Sequence, residues 1–279
     1  MDLRRTQWLD VSDDGTSTDG KSACGVVHIP FRQLPARVAE LPARGEALHV
    51  LNTGDEAAAA VGFLESTGRR ATLCDRESFL RSGGDGGAAA ADLESHHERI
   101  GWRLWSPTPF VEQAARRRAV GRALDLGCGV GRDAVFLAAA GCRVTAIDRL
   151  PDALDRGRAL LARYAPEAEE RVEWRCADLR DEHALSDADG PFDLIIMARY
   201  LDRALLSRVA RMAAANAELV IETFGPAHAE RLGRRRGCGV ATLEELRCLP
   251  GWRAEQCEEV WHAGAGIVRL LARRDAQAG

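Results

Sequence analysis

Val120-Gly121-Arg122-Ala123-Leu124-Asp125-Leu126-Gly127-Cys128-Gly129-Val130-Gly131-Arg132-Asp133 is the stretch that decides the fold. Residues 123–126 form a short apolar run interrupted only by Asp125, which reads as a buried strand. Glycines then occupy every second position, at 127, 129 and 131. The following residues read as a helix over 132–140, with Gly141 as the residue that ends it. A strand turning this tightly into a helix predicts a ligand site. Backbone N–H groups collect at the helix N-terminus, and glycine lets a ligand approach the main chain closely.

Working outward, strands and helices alternate. Strands are expected at 122–126, 142–147, 172–176, 192–197 and 218–223, and helices at 132–140, 151–164, 180–186, 202–215 and 242–249. Two further strand-like runs, 252–261 and 265–273, close the chain as a hairpin. Repeated βα units predict an α/β fold with a parallel sheet and helices on both faces, to which the hairpin adds an antiparallel strand. In such sheets ligands sit at the carboxyl ends of the strands, where the strand order reverses.

The first strand carries Asp125 and ends in the glycines, the second ends in Asp148, and the third is followed by Asp178-Leu179. Asp148 is placed to accept ribose hydroxyl hydrogen bonds, and Asp178 to meet an adenine amine beside an apolar contact. One acid at a strand end is most often a helix cap; three in register around one glycine turn point to a nucleoside-containing ligand. The dinucleotide fingerprint Gly-x-Gly-x-x-Gly does not fit, because its third glycine comes one position early and Arg132 stands in its place.

The pattern Asp125-Leu126-Gly127-Cys128-Gly129-Val130-Gly131, with Asp148 and Asp178, resembles class I S-adenosylmethionine (SAM)-dependent methyltransferases over about residues 119–273. That resemblance implies a Rossmann-like seven-stranded sheet of order 3-2-1-4-5-7-6 and SAM as methyl donor. It implies a cofactor site of Asp125, Gly127, Cys128, Gly129, Gly131, Asp148, Arg149, Asp178, Leu179 and Met197, and no metal. Gly131-Arg132-Asp133-Ala134, Arg199-Tyr200-Leu201-Asp202-Arg203 and Ile221-Glu222-Thr223-Phe224 are similar to bacterial tellurite-resistance-like methyltransferases, including relatives fused to rhodanese domains. Such relatives commonly have histidine where this chain has Asp202.

Methyl transfer from a sulfonium is an in-line displacement with a good leaving group, so the protein's task is mainly alignment and desolvation. A base is needed only if the acceptor loses a proton during attack. Arg199, Tyr200 and Arg203 follow the fourth strand and are the acceptor-side candidates, a salt-bridged helix start being the alternative. The arginine-rich run 230–237 is a candidate lid or a solvated loop, and His228 and His262 are candidate polar contacts.

The N-terminal third has its own alternation. Strands are expected at 7–11, 25–30, 47–51 and 68–73, with helices at 34–41 and 57–64. His28-Ile29-Pro30 and the loop after the third strand resemble a rhodanese domain. The family's sulfur-carrying cysteine falls at Leu51, which implies the fold without the activity, since a persulfide carrier needs a thiolate. The expected division is 1–82 rhodanese-like, 83–98 a glycine- and alanine-rich linker, and 99–279 the methyltransferase. Residues 99–110, with two tryptophans and two prolines, are expected to form a rigid lead-in, either a hydrophobic clasp between domains or an active-site wall with Arg103 near a ligand carboxylate.

The 279 residues suit two domains. The net charge is −4, with residues 1–95 at −5 and 96–279 at +1. That balance argues against a general nucleic-acid binder, and with no insertion large or basic enough for a nucleic-acid platform a small-molecule acceptor is expected. Eight cysteines without a Cys-x-x-Cys pair read as reduced, buried thiols of a cytoplasmic protein. No membrane span or signal peptide is expected. A SAM-binding regulatory or scaffold protein and a sulfur-transfer protein are the competing functions.

Overall fold

The computed structural model describes residues 3–13, 25–51, 54–81, 101–117, 121–186, 190–231, 239–262 and 264–275. The expected linker, the tip of the arginine-rich run at 232–237, Cys24, Cys238 and the His262 side chain lie outside them. The chain divides into two compact units, Met1–Ser106 and Pro107–Gly279.

In the first unit, strands β2 (Trp8–Asp10), β3 (Val26–His28), β4 (Ala47–Leu51) and β5 (Arg70–Cys74) form a four-stranded sheet of order β3-β2-β4-β5. All three pairings are parallel. Helix α1 (Asp55–Ser66) follows β4 and buries Ala57, Ala60 and Leu64 in a core with Leu9, Leu48 and Val50. Helix α2 spans Arg76–Arg81.

The helix expected at 34–41 is absent. Two 3₁₀ turns, Phe31–Gln33 and Val38–Glu40, stand there instead. Pro35 between them has no N–H and cannot continue an α-helical ladder.

The domain boundary also differs from the sequence expectation. Residues expected to open the second domain form β6 (Gly101–Arg103), which pairs in parallel with β1 (Leu3–Arg5), so the first unit extends to Ser106. Arg103, 3% exposed, donates to the Trp105 carbonyl and lies over its own neighbour's indole at 5.1 Å. Those contacts occupy it within the first unit.

The second unit begins with helix α3 (Pro109–Arg117) and continues as β7 (Arg122–Leu126), α4 (Arg132–Ala139), β8 (Arg143–Asp148), α5 (Pro151–Tyr164), β9 (Val172–Cys176) and β10 (Phe192–Ala198). Then follow α6 (Arg203–Met212), β11 (Ala213–Phe224), α7 (Pro226–Arg231), α8 (Leu243–Arg247), β12 (Trp252–His262) and β13 (Ala265–Arg274). The seven strands form one sheet, β9-β8-β7-β10-β11-β13-β12, which in the unit's own count runs 3-2-1-4-5-7-6. Only β13 runs against the others.

Local sequence explains most of these elements. β10 buries Phe192, Leu194, Ile195, Ile196 and Met197, the near-continuous apolar run of a central parallel strand. Gly141, at φ +99°, ends α4 in the left-handed region as expected. Asp202 caps α6 by accepting from the Ala204 amide at 2.9 Å, and Thr242 caps α8 through Glu245 at 3.1 Å.

Two expectations fail. Residues 180–186 make turns rather than a helix. The helix expected to reach 215 stops at Met212, because Ala213 pairs with Phe192 and enters β11. Tertiary pairing overrides the helix propensity of Ala213-Ala214-Ala215.

Asp133, 7% exposed, ties the start of the unit to α4, since its carboxylate accepts from the Thr108 amide at 2.6 Å and hydroxyl at 2.7 Å. Burial pushes its pKa up to about 6 despite those two bonds. The folded protein therefore holds a proton here that the unfolded chain has released, and stability falls as pH rises from about 4 through about 6. An Asp133→Asn variant removes that slope. Its thermal midpoint relative to the parent is expected to be more favourable at pH 7.5 than at pH 5, as thermal melts at both pH values would record. An unchanged difference would refute the assignment.

Candidate functional site

The carboxyl ends of β7, β8, β9 and β10 open into a cavity of about 390 Å³, within the size range of small-ligand sites. It is lined by Gly127 from the first strand end, Asp148 to Leu150 from the second, Ala177 to Arg180 from the third and Arg199 to Asp202 from the fourth. β7 lies between β8 and β10, and the chain winds outward from it in both directions, so the cavity sits where the strand order reverses.

Asp148 builds the floor. Its Oδ2 accepts from the Gly129 amide at 2.8 Å and its Oδ1 from the Leu150 amide at 2.9 Å. One carboxylate thus fixes both the glycine turn and the approach to α5. Each oxygen still has a lone pair for a ligand hydroxyl.

The turn itself departs from the sequence expectation in one respect. Gly127 and Cys128 both donate to the Ile147 carbonyl, at 2.9 and 3.0 Å, and Gly131 donates to Cys128 at 2.9 Å. With Gly129 on Asp148, these four amides are spent inside the protein. Those four amides are therefore not free to donate to a ligand.

Glycine is needed here for geometry. Gly127, Gly129 and Gly131 all have positive φ, at +71°, +56° and +65°. A Cβ at Gly127 would lie 2.7 Å from Cγ of Tyr200. At Gly131 it would lie 2.3 Å from the Trp174 indole, a ring that also abuts Gly157.

Asp178 reaches the cavity, but Arg180 grips it. Arg180 Nε donates to Oδ1 at 3.0 Å, a terminal nitrogen donates to Oδ2, and the Arg180 amide adds a third bond at 3.1 Å. That partner holds the Asp178 carboxyl down at about 2. An adenine amine would have to share Asp178 with the guanidinium.

The other expected cofactor residues separate into two groups. Arg149 and Leu179 line the cavity. Asp125, Cys128, Gly129, Gly131 and Met197 do not. Asp125 is 2% exposed, accepts from the Ala134 amide, and has no hydrogen-bond partner for Oδ2 among the described residues. Burial first, then Asp133 and Asp148, push its carboxyl well above the usual range. Burial likewise pushes the Cys128 thiol far up, so it is no nucleophile at neutral pH. Met197 is wholly buried in the core with Leu126 and Ile221. Alternation along β10 puts successive side chains on opposite faces, and a strand-end position does not by itself open onto the cavity.

Of the acceptor-side candidates, Arg199 and Tyr200 line the cavity and Arg203 does not. Arg203 is engaged by both carboxylate oxygens of Glu245 and by the Val240 carbonyl at 2.7 Å, which realises the salt-bridged helix start. His228 stacks on Phe224 at 4.7 Å and is not a lining residue. Sequence reasoning missed Leu150, Ala177, Arg180 and Leu201. Leu150 carried a signal: a large apolar residue two positions after the strand-end acid Asp148, 52% exposed in the fold.

The thiols are less uniform than expected. Cys142 is buried, Cys176 and Cys248 are exposed, and Cys74, Cys128 and Cys257 are intermediate; all six are free. Among the described residues no helix is long and apolar enough to cross a membrane.

Comparison with known proteins bears on this site directly. Residues 123–216 match the family described as Methyltransferase domain. Over 88 residues the chain is 41% identical to the ribosomal RNA small subunit methyltransferase H of Gluconobacter oxydans (strain 621H), a match covering 31% of this chain and 26% of that protein. The chain thus spans about a quarter of the length of that curated relative.

Among solved structures it is similar to the N-methyltransferase NodS from Bradyrhizobium japonicum WM9 in complex with S-adenosyl-L-homocysteine, at 21% identity and a TM-score of 0.46 over 59% of this chain and 84% of that one. It is also similar to TehB from Haemophilus influenzae, at 16% identity and a TM-score of 0.47 over 61% and 63%. Residues 123–216, which include Gly127, Asp148 and Asp178 of the cavity, are thus similar to a methyltransferase domain.

Proposed function

We propose that the protein transfers the methyl group of SAM to a small-molecule acceptor, with donor and acceptor meeting in the cavity at the strand ends. The observation that carries this reading is the convergence of Gly127, Asp148 and Asp178-Leu179, from three successive strands, on that one cavity inside the methyltransferase match. Asp148 accepts from the ribose hydroxyls, Leu150 and Leu179 form the apolar walls for adenine, and Asp178 takes the adenine amine. The methionine portion runs along the turn at Gly127. Arg199, Tyr200 and Asp202 face the acceptor. Their work is to align it behind the methyl group and exclude water, and good alignment is worth up to about 7–11 kcal/mol.

The resemblance of Gly131-Arg132-Asp133-Ala134 and Arg199 to Arg203 to tellurite-resistance-like methyltransferases makes chalcogen oxyanions one acceptor class to test beside thiols, hydroxyls and amines. Calorimetric titration with SAM is expected to give saturable binding. Incubation with each acceptor class should release S-adenosylhomocysteine for at least one of them. Binding without turnover on any class would favour the regulatory alternative, and no heat from folded protein would end the reading.

We further propose that the first unit is a rhodanese-like module without sulfur-transfer activity. The parallel sheet β3-β2-β4-β5 supports the likeness, and Leu51, 3% exposed at the end of β4, leaves no thiol at the expected position. Cyanide-dependent release of sulfite from thiosulfate would overturn the second half of that proposal.

A further inference from the structure

Arg199 has φ +58°, a left-handed conformation that costs a non-glycine residue energy and that other contacts must hold in place. Those contacts converge on one partner. The Arg199 amide donates to the Glu222 carbonyl at 2.6 Å, and Arg199 Nε donates to Glu222 Oε1 at 2.9 Å. The guanidinium also lies over the Phe224 ring at 5.3 Å. Glu222 is itself 5% exposed and fastened from the other side by Arg269 Nε at 2.6 Å on Oε2.

Two arginines therefore share one carboxylate. Their terminal nitrogens differ in setting. The Arg269 side chain is 12% exposed with Glu258 near it at 3.8 Å, whereas that of Arg199 is 41% exposed and lines the cavity. Arg199 Nη1 and Nη2 make no hydrogen bond among the described residues.

We infer that Glu222 is a positioning residue that presets Arg199 as a fixed two-donor fork for an oxyanion group, carboxylate or phosphate, on the methyl acceptor. The inference rests on the proposed placement of the acceptor beside Arg199. A planar guanidinium anchored through Nε presents its two remaining nitrogens in the geometry that oxyanions accept. Arg269 offsets the Glu222 charge, so the three side chains together carry one net positive charge. Asp202 also lines the cavity, but its Oδ1 is committed to the α6 amide of Ala204. The left-handed backbone at Arg199 and the buried carboxylate serve one purpose: a fork that has less rotamer freedom to lose on binding than an untethered arginine.

The test uses the full chain saturated with S-adenosylhomocysteine and three phenyl probes: benzoate, phenyl phosphate and benzamide, the last a neutral isostere of benzoate. Ligand-observed NMR titration should show benzoate or phenyl phosphate binding at least about tenfold more tightly than benzamide. The preferred anion reports which oxyanion the fork suits. Arg199→Lys keeps the charge without the fork and should lose most of that preference. Glu222→Gln should reduce it by a comparable factor while S-adenosylhomocysteine affinity stays within about twofold, a pattern that a purely structural role would not produce. Equal binding of the anions and benzamide, or an Arg199→Lys variant with the parent's preference, overturns the inference. If S-adenosylhomocysteine itself fails to bind, the cofactor reading falls and takes this inference with it.

Discussion

Replacing Asp148 by alanine is expected to lower SAM affinity by about 10²–10⁴-fold. Two losses add. The ribose hydroxyls lose a charged acceptor, and hydrogen bonds to charged groups contribute about 1.5–3 kcal/mol each. The amides of Gly129 and Leu150 also lose their partner, so the glycine turn and the entry to α5 are no longer tied together. Asp148→Asn separates the two effects. Its single carbonyl oxygen serves one amide or one hydroxyl but not all of them, and the expected loss lies between parent and alanine. Calorimetric titration with SAM measures all three proteins, and circular dichroism establishes that each is folded. An alanine variant that binds like the parent would remove Asp148 from the site and leave the cavity without its central acceptor.

The parts of this site that the sequence shows plainly are those in which a local rule and the global fold agree. β7 and β10 are buried on both faces, so their apolar runs stand out, and the acids at their neighbours' ends fall at turn positions where side-chain oxygens cap amides. Asp148 does so in the structure, and a ligand reading adds to that role rather than replacing it. What escaped the sequence is set by contacts between distant residues. Nothing local to Arg199 announces that Glu222, 23 positions later, will fix its Nε. Nothing near Thr108 announces Asp133. The same holds for β6, whose partner β1 is about 100 residues away. Met197 failed for a simpler reason: the strand-end position was legible, but the face on which its side chain emerges was not. The glycine turn was legible as a close-approach site and misleading as a donor site, because spacing reveals where side chains are missing and not where amides are spent.

Gly131 is where the fold and the site depend on the same missing side chain, and Gly131→Ala is expected to destabilise the second unit by about 2–5 kcal/mol. A left-handed conformation costs an L-residue about 1–2 kcal/mol, and forcing a methyl group into a filled space about 1–3 more. The same edge of the Trp174 ring abuts both Gly131 and Gly157, so the indole is closely packed where the methyl group would enter. Gly129 supplies the control. It has a similar φ of +56°, but nothing lies within 4 Å of the Cβ it would gain. Gly129→Ala should therefore show the conformational cost alone, and the difference between the two variants isolates the clash. Adding Trp174→Leu to Gly131→Ala should recover part of the loss, giving a favourable coupling energy in a double-mutant cycle followed by urea unfolding. If Gly131→Ala and Gly129→Ala lose equal stability, the indole is not what makes glycine necessary at 131. The turn would then be maintained by backbone conformation alone, and the tie between β9 and the cofactor loop through Trp174 would have to be abandoned.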